Sequence, residues 1–131
     1  VTIADILAME SEIILFDEPA ASLDPAGEDR LEAVLARLSD EGRTLVISTH
    51  DMDFAFRWAT RAVVFAGGRV IADGVPETVF RDTETLHRAH LKPPALLGVF
   101  DLLRSRGLVR KSAACPRTLA DLEAMLGVQT V

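Results

Sequence analysis

Seven consecutive residues, Ile13-Ile14-Leu15-Phe16-Asp17-Glu18-Pro19, constrain this chain more than any other stretch. Four apolar side chains run directly into two carboxylates and a proline. A short apolar run closed by a breaker predicts a strand buried on both faces, as in a parallel α/β sheet. Asp17 and Glu18 then fall at its carboxyl end, the edge where open α/β sheets collect their ligands. A second short run, Thr44-Leu45-Val46-Ile47-Ser48-Thr49, is rich in β-branched residues and ends at His50-Asp51. Between the two, Asp24 reads as a helix N-cap with Pro25 at the first helical position. Leu31, Val34, Leu35 and Leu38 then recur at helical spacing up to Gly42. Strand, helix and strand in that order form a crossover unit, and such units are almost always right-handed and parallel. Both strands therefore end on one sheet edge. That brings Asp17 and Glu18 towards His50, which lies 32 positions beyond Glu18 along the chain.

The flanking segments are simpler. Ile3, Ile6, Leu7 and Met9 show a partial helical period ahead of the first strand. Asp51 is positioned to cap a short helix through Met52, Phe54, Ala55, Trp58 and Ala59. Arg61 to Phe65 and Arg69 to Asp73 predict an antiparallel hairpin around Ala66-Gly67-Gly68, placed at the edge of the sheet. Pro76 to Phe80 reads as one helical turn and Asp82 to Leu91 as two or three. Lys92-Pro93-Pro94 is the clearest break in composition, because two prolines forbid helix across the junction. It divides the chain into residues 1–91 and a helical extension, residues 92–131. In the extension Leu96, Leu97, Phe100 and Leu103 keep a helical period to Gly107, and Thr118-x-x-Asp121 opens a last helix in capping-box style, ending at Gly127.

Composition excludes several function classes. The 131 residues fit one small globular domain, and 14 basic against 20 acidic residues give a net charge of -6 with no basic run. A phosphate-backbone footprint is lacking, so no nucleic-acid partner is expected. Cys115 is the one cysteine. It has no disulfide partner or metal-ligand companions in the chain and is expected to be inert. No apolar run approaches the ~18 residues of a membrane span, so direct membrane insertion is not expected. The chain opens on Val1 inside a helical pattern and reads as a fragment of a longer protein.

The ordered set Phe16-Asp17-Glu18-Pro19, Ser22-Leu23-Asp24-Pro25 and Ser48-Thr49-His50-Asp51 resembles the Walker B, D-loop and H-loop motifs of ABC-type ATPases. No Gly-x-x-x-x-Gly-Lys-Ser/Thr phosphate loop occurs in the 131 residues. The resemblance covers about residues 1 to 80. It implies an α/β, P-loop NTPase-like three-layer sandwich with parallel strands, without its amino-terminal half and with a small helical carboxyl-terminal extension. Leu91-Lys92-Pro93-Pro94, then Leu96, Leu97, Leu103 and Gly107, then Pro116-Arg117-Thr118-Leu119, looks like the extension of energy-coupling-factor ATPases of the cobalt and nickel type. Where members of the family often carry an acid before the Gly-Gly turn, this chain has Ala66.

The resemblance implies an ATP-hydrolysing subunit with ATP and magnesium as cofactors. Asp17 would hold the magnesium ion, largely through water because magnesium dehydrates reluctantly. Glu18 would polarise the attacking water as a general base. His50 would contact the γ-phosphate and help hold that glutamate and its water. Ser22 and Asp24 would reach the opposite ATPase subunit across a composite site, and ATP-driven dimer closure would power transport. Implied partners are a second ATPase subunit, identical or not, and integral membrane transporter subunits; the location is peripheral, on the cytoplasmic side of the cell membrane. Plainer readings stand beside these: a turn at a strand end for Asp17-Glu18, a half-buried polar residue for His50, and a helix cap for Asp24, which excludes no second role. His87 and His90 are expected to be solvated helix residues. Two other functions compete with the importer subunit: an ABC ATPase of another importer or a soluble ABC protein, and a truncated, non-catalytic interaction module.

Overall fold

The computed structural model describes residues 3–8 and 10–127. Val1, Thr2, Met9 and residues 128–131 lie outside them. Contacts divide the chain into two compact units, one ending at His50 and the other beginning at Asp51.

The first unit holds helix α1 (Ile3–Ala8), strand β1 (Ile13–Asp17), helix α2 (Pro25–Asp40) and strand β2 (Thr44–Ser48). The strands are parallel and in register from Ile13 opposite Thr44 to Asp17 opposite Ser48, as the crossover pattern requires. Glu18 extends the ladder by donating its N–H to the Ser48 carbonyl at 2.8 Å. Helix α2 starts where Asp24 caps it, its Oδ1 accepting from Gly27 N at 2.7 Å. It stops before Gly42, whose φ of +80° lets the chain turn back into β2. Leu31, Leu35 and Leu38 are buried along one stripe of α2, and Ile14 and Phe16 are buried on β1.

One expectation fails here. Strand β1 is buried on alternate residues only: Ile13 is exposed and Leu15 is 76% exposed, as is Val46 of β2 in large part. Successive side chains of a strand point to opposite faces. An apolar strand shows that both faces can be covered, but the described residues cover one.

The second unit holds α3 (Met52–Trp58), the hairpin β3 (Ala62–Ala66) and β4 (Arg69–Gly74), then α4 (Pro76–Val79), α5 (Thr83–Arg88), α6 (Ala95–Ser105) and α7 (Leu119–Leu126). Asp51 caps α3 by accepting from Phe54 N at 3.0 Å. Gly67 and Gly68 both take positive φ, the pair of left-handed residues a two-residue hairpin turn demands. The hairpin is antiparallel but forms a separate two-stranded sheet instead of an edge of the parallel one, because the ladder bonds of β3 and β4 run only between themselves among the described residues. Helix α5 is shorter than the expected span to Leu91; it ends at Arg88, and His90 has left-handed φ. Thr118 and Asp121 make the reciprocal bonds of a capping box at the start of α7.

Met52, Phe56, Val64, Phe80, Leu86 and Leu97 share one core, with Phe56 and Phe80 edge to face at 6.2 Å. Leu97 lies beyond the two prolines, and Pro94 is itself fully buried. The composition break at 92–94 therefore lies within the second unit: prolines end a helix without ending burial. Arg117 adds a polar fastening. Its Nη1 donates to the carbonyls of Phe56 at 2.6 Å and Ala59 at 3.0 Å, its Nη2 to Glu77 Oε1 at 2.7 Å, and its guanidinium lies 4.6 Å from the Phe56 ring centroid.

Candidate functional site

Parallel pairing places the carboxyl ends of β1 and β2 side by side, and the residue after each strand meets the other's continuation. Glu18 follows β1 at φ +45°, in the left-handed region that costs a residue with a Cβ about 1–2 kcal/mol. Such outliers persist where the surroundings over-determine them, and they gather at working sites. Here the Glu18 N–H is tied to Ser48, and both carboxylate oxygens are engaged: Oε1 by His50 Nδ1 and Oε2 by Thr49 Oγ1 at 3.2 Å.

The two partners differ in setting. The His50 side chain is 88% exposed and that of Glu18 35% exposed, while Thr49 is half-buried. The hydrogen bond from His50 holds the Glu18 carboxyl below the usual carboxylate range, with Thr49 adding to the effect and desolvation opposing it. A carboxylate so held stays ionised at neutral pH and keeps unused lone pairs, since its two oxygens offer about four acceptor positions. It can accept a proton from a water beside it.

Asp17 is exposed at the end of β1. Among the described residues no group of three or more His, Cys, Asp or Glu side chains is close enough to hold a metal by itself. Asp17 can supply one carboxylate to a divalent cation that takes its other ligands from water and phosphate oxygens, which suits a hard, well-hydrated ion. Ser22 lies at φ +65° in the exposed turn before α2. Asp24 spends Oδ1 on the α2 cap. Asp17, Glu18 and His50 thus share one edge, with Ser22 and Asp24 on the turn that leaves it. His87 and His90 are exposed residues of the second unit. Burial pushes the Cys115 thiol up, away from reactivity. Thr49 is the site residue to which the sequence assigned no part; its adjacency to His50 at the end of β2 was the available signal.

A parallel crossover with one acid ending its first strand, a second acid just after it, and Thr-His after its second strand is the architecture of an ABC-type ATP-binding domain, and solved structures of that class match it. They include cbiO1 from Clostridium perfringens, described as part of the ABC transporter complex cbiONQ, at TM-score 0.53 and 33% identity over 76% of this chain and 40% of that one. UvrA2 from Deinococcus radiodurans matches at TM-score 0.50 and 29% identity over 60% of this chain and 10% of that one.

Within that class the sequence is similar to the ATP-binding proteins of energy-coupling factor transporters. It is 43% identical over 122 residues to energy-coupling factor transporter ATP-binding protein EcfA2 of Methanospirillum hungatei, covering 93% of this chain and 30% of that protein. It is also 43% identical over 99 residues to EcfA of Carboxydothermus hydrogenoformans, covering 76% and 36%. The chain therefore spans about a third of the length of these relatives. No protein-family model matches it.

Proposed function

We propose that this chain supplies the hydrolytic edge of an ATP-binding subunit that powers an importer of the energy-coupling factor kind, with cobalt or nickel as the cargo class. The observation that carries the reading is the Glu18 carboxylate, held ionised by His50 and Thr49 at the joint end of two parallel strands. In hydrolysis a water oxygen bonds to the γ-phosphorus of ATP and the bond to the β-γ bridging oxygen breaks, releasing ADP and phosphate. Glu18 takes the proton that this water loses. His50, largely open to solvent, is free to turn towards the γ-phosphate. Asp17 would hold magnesium, largely through water; the ion, when bound, neutralises phosphate charge.

The exposed apolar face of Ile13, Leu15 and Val46 supports the same reading. It is the face that the remainder of an ATP-binding domain, phosphate loop included, would cover. The exposed turn Ser22-Leu23-Asp24 would meet a second ATPase subunit in the closed dimer. The location would be the cytoplasmic side of the membrane, through integral membrane partners; no helix among the described residues is long and apolar enough to cross a bilayer.

The test is Glu18→Gln in the full-length subunit. Turnover should fall about 100-fold to 10,000-fold while ATP binding persists, leaving an ATP-dependent dimer. Retention of most of the activity rejects Glu18 as the base. The likeness to UvrA2, which is not described as part of a transporter, favours a second reading, an ABC protein without a transporter partner. Copurification of the subunit with integral membrane proteins separates the two.

A further inference from the structure

We propose that Thr49 is the positioning residue for Glu18: its hydroxyl fixes Oε2 and keeps the carboxylate aimed at the water while His50 engages the nucleotide. This rests on the reading of Glu18 as the base. The geometry on which it stands is the Thr49 Oγ1 to Glu18 Oε2 hydrogen bond at 3.2 Å, formed across 31 positions of sequence at the end of the paired strands.

Glu18 has two side-chain partners, and they are not equivalent. His50 is an open ring on a rotatable arm, 88% exposed. If its Nε2 serves the γ-phosphate while Nδ1 stays on Oε1, its hold on Glu18 changes with the nucleotide. Thr49 is half-buried, one residue past β2, and has a short β-branched side chain whose χ1 is stiff. Its hydroxyl is therefore a fixed point. Glu18 needs one, because three rotatable bonds separate its carboxylate from a backbone already held in the left-handed region. The bond to Thr49 uses one acceptor position of Oε2 and leaves others for the water. Thr49 touches neither water nor phosphate in this scheme; it acts through Glu18 alone.

Thr49→Val removes the hydroxyl at nearly constant shape and Thr49→Ser keeps it. In the full-length subunit Thr49→Val should lower kcat about 10-fold to 100-fold, the scale of a misplaced reacting group, with the Kd for magnesium-ATP unchanged. Thr49→Ser should restore kcat. A purely structural role for Thr49 would lower Tm or weaken magnesium-ATP binding together with kcat, and this result overturns the proposal, as does a Thr49→Val enzyme with full kcat. On a Glu18→Gln background Thr49→Val should cost no further activity. Failure of the base reading is distinct from failure here: in the first, Glu18→Gln stays active; in the second, Glu18→Gln is dead while Thr49→Val matches the parent. Should Thr49→Val fold poorly, Thr49→Ala, read by kcat against the Kd for magnesium-ATP and with the Ser variant as control, decides the matter.

Discussion

Replacing Arg117 with Met should destabilise the second compact unit by about 2–4 kcal/mol. Methionine keeps the side chain's packing over Phe56 but removes the donors to the Phe56 and Ala59 carbonyls and to Glu77. A hydrogen bond from a charged donor is worth about 1.5–3 kcal/mol, and the contact with the Phe56 ring about 0.5–2 kcal/mol. These values do not add, because one side chain makes all four contacts. Breaking a fully buried pair costs about 3–5 kcal/mol. Arg117 and Glu77 are 28% and 22% exposed, so water relieves part of the penalty and the lower range applies. Relief is incomplete, since Glu77 Oε2 is already buried without a hydrogen bond and would be left beside an equally unpaired Oε1. Urea unfolding followed by the fluorescence of Trp58, the chain's single tryptophan, reports on the helix that Arg117 fastens. Adding Glu77→Gln should recover about 1 kcal/mol or more by removing the stranded charge. A loss below about 0.5 kcal/mol, the scale of a solvated surface pair, would refute the reasoning.

Two further expectations need only stability measurements. Gly27→Ala should cost about 1 kcal/mol, the worth of an N-cap, because its new Cβ would sit 2.9 Å from Asp24 Oδ1 and 3.3 Å from Leu23 Cβ. Gly98→Ala, on α6 with nothing within 4 Å of the added methyl, should instead stabilise by about 0.5–1 kcal/mol; equal Tm shifts for the two variants would contradict this. Arg81, donating to both oxygens of Asp101 at 2.9 and 2.8 Å, holds that carboxyl below its usual range against an opposing desolvation. A lowered folded-state value means the contribution is complete above the ordinary carboxylate range and is lost as pH falls below about 4. Asp101→Asn should flatten the acid limb of the stability profile, and an unchanged slope would show that other carboxylates carry it.

The local features were legible because neighbouring residues decide them. Asp24-Pro25, Gly67-Gly68 and Thr118-x-x-Asp121 each specify a cap or turn within four positions, and the structure contains all three. The parallel pairing was legible too, since its direction follows from strand, helix and strand in sequence. Burial of β1 was not, because what covers Leu15 depends on residues elsewhere and not on Leu15. Arg117 carried no local signal; its partners lie 40 to 61 positions away. Lys92-Pro93-Pro94 is a strong local break, yet Leu97 beyond it shares a core with Phe56 and Phe80, a contact that no local pattern announces. At the candidate site, pairing topology brought Glu18 to His50, but Thr49 needed side-chain geometry, since alternation alone does not say which hydroxyl reaches a carboxylate.

The crossover has one more consequence. No tight turn ties β1 to β2, so helix α2 and its two end turns act as the ruler that decides which residues stand opposite each other. A shift of one residue in β2 would send every side chain of that strand to the other face of the sheet. Its apolar run would still pair and still look well formed, yet Thr49 and His50 would no longer stand in place beside Glu18. Length between Asp24 and Thr44 is therefore a chemical parameter of this protein: one residue gained or lost around Gly42 would spare the motifs as written and separate them in space.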